Sequence, residues 1–275
     1  MTTYFRTLIV LVFTALLLAC GDEGTLPLDQ GMMPADMAVI RPVNTTFGSV
    51  SPPVFPAYTN FDCVEAPSRD NGFCVTQDGT IVPLGSTGYT PLLQRVLRAY
   101  PRAFRERVVV YDMSLSDQTE LVQLDDEHFA AVVNVSGRTD NDVVLDFGAL
   151  LLRASAQADS VTDQGNTNCG PFASLLIACP TTDTPFNLWL DYWWNTLTDP
   201  NAWADTDSYY STRTEQYVSR DAAKGPLDDY CESFRYFLSH PRPTGFTAAD
   251  QKVDMFTYFA EFMAVRGSVI REIGL

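Results

Sequence analysis

The chain has 275 residues, 34 acidic and 18 basic, for a formal net charge of −16. A surface that acidic repels phosphate backbones and anionic headgroups, which argues against nucleic acid as a partner and against charge-driven membrane binding. With 46% hydrophobic and 12% aromatic residues the chain can bury a substantial core, so global disorder is excluded as well.

Residues 1–19 read as an export signal. Arg6 is their only charge, and Leu8 to Leu18 form an apolar run broken only by Thr14. That length suits a signal h-region and is too short to span a bilayer comfortably. The run ends in Leu17-Leu18-Ala19-Cys20, followed by Gly21 and Asp22. This stretch resembles the lipobox of bacterial lipoproteins. The resemblance implies cleavage before Cys20, diacylation of its thiol, and a chain anchored to a bacterial membrane on the periplasmic or outer-membrane side. Residues 20–57 carry Pro34, Pro42, Pro52, Pro53 and Pro56 without helix or strand periodicity, as expected of a tether. A single folded body is expected over 58–275.

Within that body, Cys63 and Cys74 bracket a short loop, as do Cys169 and Cys179. In an exported protein both pairs are expected to be disulfides, leaving Cys231 as a buried thiol. Thr90-Pro91 opens an amphipathic helix through Leu92, Leu93, Val96, Leu97 and Tyr100. Arg107–Asp112 and Phe129–Val135 read as strands on either side of an acidic turn, Asp125–Glu127. Val143–Ala158 starts strand-like and continues with helical spacing. Thr184-Pro185 opens a helix over FNLWLDYWWNTL, whose Leu188, Trp189, Tyr192 and Trp193 form an apolar stripe that leaves Trp194 and Trp203 free to be exposed. Gly225-Pro226 opens LDDYCESFRYFL, and Thr247 with Asp250 makes a capping box for a last helix reaching about Val265. The fold class is α+β: a small antiparallel sheet followed by a mostly helical half.

The order of motifs in the C-terminal third carries a second resemblance. Gln216-Tyr-Val-Ser-Arg-Asp-Ala-Ala, Pro226-Leu-Asp-Asp-Tyr-Cys-Glu-Ser-Phe, Arg242-Pro-Thr-Gly and Ala249-Asp-Gln-Lys-Val-Asp-Met-Phe follow one another. This series is similar to a family of zinc-binding, gluzincin-like metallopeptidases among bacterial lipoproteins. The similarity covers about residues 105–275 and implies a zincin-like C-terminal half. In that family a HEFGH helix supplies two histidines to zinc and a glutamate that activates water, and an acidic residue on a later helix is the third ligand. The matching helix here reads Leu145-Asp146-Phe147-Gly148-Ala149. Leu145 and Ala149 stand at the histidine positions and Asp146 at the glutamate. Asp228 stands at the third ligand, with Glu232 one turn later.

Leu and Ala have no lone pairs to give a metal, so zinc is expected to be absent and no residue is assigned a catalytic role. The sequence therefore points to a pseudopeptidase that binds an unknown protein or peptide ligand. The competing class is a working exported hydrolase, with an unusual metal site or a thiol mechanism. His128, Asp146, Gln164 and Cys169 occur in the order of a cysteine protease, although a Cys169–Cys179 bridge would remove the nucleophile. Asp228, Asp229 and Glu232 also read more simply as first-turn acids that complement a helix dipole, and Asp125–Glu127, Asp140 and Asp142 as solvated turns rather than Ca²⁺ ligands.

Overall fold

The computed structural model describes residues 61–158, 160–161, 179–180, 184–194 and 206–275. The expected signal, Cys20 and the expected tether lie outside them, as do Gln164, Cys169 and Trp203.

Five short strands form one sheet in the order β2-β1-β3-β5-β4. β1 (Gly72–Val75) and β2 (Ile81–Pro83) form a hairpin, and β1 also runs antiparallel to β3 (Val108–Ser114), with Phe73 opposite Tyr111. β4 (Glu120–Gln123) is an edge strand antiparallel to β5 (Phe129–Asn134). The central pair differs from the antiparallel expectation: β3 and β5 run parallel, with Tyr111 opposite Ala131. The chain takes β4 out to the edge and returns, so the acidic turn joins β4 to β5 and not β3 to β5. β3 and β5 are almost wholly buried on both faces, as central strands covered on both sides should be. One face (Phe73, Tyr111, Met113, Ala131, Val133) packs on the helices. The other (Cys74, Val110, Ala130) packs under Phe61, Cys63 and Leu84. The Cys63–Cys74 disulfide fastens that second layer to the sheet.

α1 (Thr90–Ala99) has Pro91 in its first turn and buries Leu92, Leu93, Val96 and Ala99. A single turn, α2 (Arg102–Arg105), leads into β3. α3 spans Asp140–Ala158 without a strand at its start. Thr139 Oγ1 accepts the Asp142 amide at 3.2 Å and donates to Asp142 Oδ2 at 2.7 Å, and this reciprocal cap outweighs the β preference of Val143 and Val144. β6 (Ser160–Val161) and β7 (Cys179–Pro180) form a separate two-stranded ladder.

α4 (Pro185–Trp189) is capped by Thr184 and continues into a π-helical turn at Leu190–Trp194. The wider turn shifts the facing residues by one, so Trp189, Leu190 and Trp194 are fully buried while Tyr192 is exposed. Trp194, outside the expected stripe, is therefore a core residue. α5 (Thr206–Ser211) and a 3₁₀ turn (Asp221–Lys224) precede α6 (Pro226–Ser239).

The capping box at Thr247 and Asp250 is present and starts α7 (Ala248–Met255). The predicted single last helix is divided. After the 3₁₀ turn Phe256–Tyr258, Phe259 is extended, and α8 runs over Ala260–Ile273. Thr257 Oγ1 donates to the Asp254 carbonyl at 2.7 Å, offering that backbone group an alternative to the helix ladder. The break lets Phe256 and Phe262 pack against Phe234 and each other, with Phe259 edge-on to Phe262. None of the described helices is long and apolar enough to cross a membrane.

Candidate functional site

The residues singled out by the second resemblance come together where α3 packs on α6. Two ion pairs define the geometry. Arg235 Nε donates to Asp146 Oδ1 at 2.8 Å, and Arg153 meets Asp228 Oδ1 at 2.9 Å. The early part of α3 thus faces the late part of α6, and the reverse, so the helices are antiparallel. Gly148 permits the approach: a Cβ there would overlap the Tyr100 hydroxyl and press on Leu238. Tyr100 is wholly buried and donates to the Val144 carbonyl at 2.8 Å. Burial, reinforced by the nearby Asp146 carboxylate, keeps that phenol protonated far above its ordinary range.

Each motif position has a definite surrounding. Leu145 is buried in the hydrophobic core and Ala149 is half-buried. Asp146 is buried, and both of its oxygens are occupied, one by Arg235 and the other by a short contact with Arg138. Asp228 is held by Arg153. Glu232 accepts from Ser219 Oγ at 3.3 Å, and burial raises its pKa above the ordinary carboxylate value although Arg235 opposes this. Burial works against the charge on Arg153, yet the acids at Asp228 and Glu232 more than compensate. Cys231 is a free, buried thiol whose pKa burial pushes well up, which makes it a poor nucleophile.

These residues do not fit zinc. Two of the four motif positions are hydrocarbon, and the two carboxylates are already matched by guanidinium groups. Among the described residues, no group of three or more His, Cys, Asp or Glu side chains is placed to hold a metal ion. The arrangement is a layer of alternating charge, Arg138–Asp146–Arg235 and Arg153–Asp228, with Glu232 between the two arginines of its flanks.

The two histidines are engaged elsewhere. His240 ends α6, with its ring stacked on Tyr236 at 3.7 Å. His128 is buried, and its Nδ1 lies 2.9 Å from both carboxylate oxygens of Asp125. The carboxylate that orients His128 is thus Asp125, not Asp146. Asp125 Oδ1 also accepts the amides of Glu127 and His128, so this acidic turn is internally bonded and not merely solvated. Asp140 is likewise paired, with Arg95 at 3.2 Å.

A second polar cluster escaped the sequence reading. Asp229 lies in the first turn of α6, as read, but it is completely buried. Its Oδ2 accepts from Lys252 Nζ at 2.7 Å and from Trp194 Nε1 at 2.9 Å. Lys252, also buried, donates to the Gln216 carbonyl at 2.8 Å and lies 4.2 Å from the Tyr217 ring centre. Burial raises the Asp229 pKa and lowers that of Lys252, while their mutual contact opposes both shifts. Helical spacing did contain a signal, since Asp229 shares a face with buried Pro226, Ser233 and Phe237.

No protein-family model, curated protein or solved structure matches the chain.

Proposed function

We propose that this chain is an exported, lipid-anchored bacterial envelope protein whose folded part is a degenerate metallopeptidase-like domain that binds without hydrolysing. The observation that carries this reading is the α3–α6 interface. At the positions a gluzincin would use for metal and water, it presents Leu145, Ala149 and carboxylates bonded to Arg138, Arg153 and Arg235. Guanidinium groups there stabilise the acids that a cation would otherwise satisfy, and leave no donor set for a Lewis acid. That the LDFGA and DDYCES stretches lie on two helices packed against each other supports the reading. A protein or peptide is the ligand class expected of such a domain.

The test is elemental analysis of the mature chain purified without chelators, together with melting curves before and after EDTA. Well under one zinc per chain, no change in melting and no peptide cleavage are expected. One tightly bound zinc would overturn the reading. The alternative is a thiol hydrolase in which His128, oriented by Asp125, serves Cys169. It requires a free Cys169 thiol.

A further inference from the structure

A cleft away from the α3–α6 interface opens between the end of β1, α2, the start of β3 and His128. Its volume is about 60 Å³, and Thr76, Arg102, Arg105, Glu106 and His128 contribute the polar lining. A water-sized group needs roughly 10–15 Å³ of such space, so the cleft has room for a cluster of a few polar atoms. In a chain of net charge −16 the α3 and α6 arginines are matched to carboxylates, but Arg102 and Arg105 make no ion pair among the described residues. The Arg105 Nε is buried and has no hydrogen-bond partner. A buried guanidinium donor left in this state normally has a partner to meet. Its neighbour is the Tyr111 hydroxyl, likewise buried: burial pushes that phenol up to about 12, and the charge and a side-chain hydrogen bond of Arg105 draw it back. His128 forms one wall of the cleft, with its Nδ1 taken up by Asp125. Phe61 packs beside the imidazole with ring centres 5.4 Å apart. Two guanidinium groups and one carboxylate, Glu106, line the cleft, a balance that suits an anion of low charge.

We propose that this cleft binds a small oxyanion, a carboxylate or phosphate group of a solute, through the guanidinium groups of Arg105 and Arg102. Planar guanidinium donors match the spacing of oxygens on both groups.

The experiment uses the full mature chain in detergent. Melting curves are recorded in sodium phosphate, sodium acetate and sodium chloride at equal ionic strength, followed by calorimetric titration with inorganic phosphate and with acetate. A saturable rise in melting temperature over chloride is expected with at least one oxyanion, and the responding arm identifies a phosphoryl or a carboxylate site. Removal of one charge-assisted contact in Arg105→Ala or Arg102→Ala should weaken the apparent Kd about tenfold. Arg271→Ala, at an exposed arginine on another helix, should not change it. Arg102 is exposed, so its variant decides the matter even if Arg105→Ala fails to fold. Equal melting in all three salts, or oxyanion binding that survives in both variants, would overturn the proposal. Neither result bears on zinc content, so this site and the proposed function fail separately.

Discussion

Lys252 Nζ on α7 and Asp229 Oδ2 on α6 meet at 2.7 Å with both side chains buried. The contact joins two helices to the Gln216 loop and to Trp194. Every strong donor and acceptor in it is matched, which is the condition under which a buried ion pair is tolerated. Removing one partner, in Lys252→Met or Asp229→Leu, strands the other charge and should cost about 3–5 kcal/mol. The double variant should cost less than the sum of the singles. Urea unfolding of the three variants measures this, and strictly additive losses would show that the pair is not coupled.

Gly148 is where α3 passes Tyr100 and Leu238 most closely. Gly148→Ala adds helix propensity but overpacks the interface, and the overlap should win by about 1–3 kcal/mol. The measurement is the denaturation midpoint. A variant more stable than the parent would mean that Tyr100 can move aside at no cost.

Glu272 ties α8 to α1 through Arg98 at 2.7 Å and Arg95 at 3.5 Å. The Arg98 hydrogen bond is the main cause holding its carboxyl below the ordinary glutamate value. A depressed folded-state pKa contributes stability above the unfolded pKa, and that contribution is lost as pH falls through the folded value. Glu272→Gln should therefore cost less than about 1 kcal/mol at neutral pH, as exposed pairs do. Parent and variant should converge in acid, as pH falls through the depressed folded value. Melting curves across pH check the sign, and a gap that widens in acid would contradict it.

The Cys63–Cys74 bridge closes a short loop, worth about 3 kcal/mol by chain-entropy reasoning. Peptide mapping of unreduced protein should recover this pair, find Cys231 resistant to alkylation until unfolding, and recover Cys169 joined to Cys179. A readily alkylated Cys169 would restore the thiol-hydrolase reading.

The proposed lipid anchor is tested by Cys20→Ala. The variant should leave the detergent phase in phase partitioning, as either an uncleaved or a released chain. A processed, lipidated product that persists in the variant would remove the lipobox assignment.

Local chemistry was legible from the chain alone because it acts within one turn or one loop. The Thr247–Asp250 capping box, Pro91 and Pro226 in first helical turns, the Cys63–Cys74 pair and the α+β order all depend on residues a few positions apart. The absence of imidazole at Leu145 and Ala149 could likewise be read directly. What surrounds those positions could not. Arg235 reaches Asp146 across 89 residues, and Lys252 reaches Asp229 only once α6 and α7 are packed. The parallel pairing of β3 with β5 depends on where β4 docks, and the burial of Trp194 on a π turn that shifts one face of a helix. Pairing register and charge partnership are set by packing between distant segments, where burying apolar area and satisfying buried charge select one arrangement among many that local propensity allows.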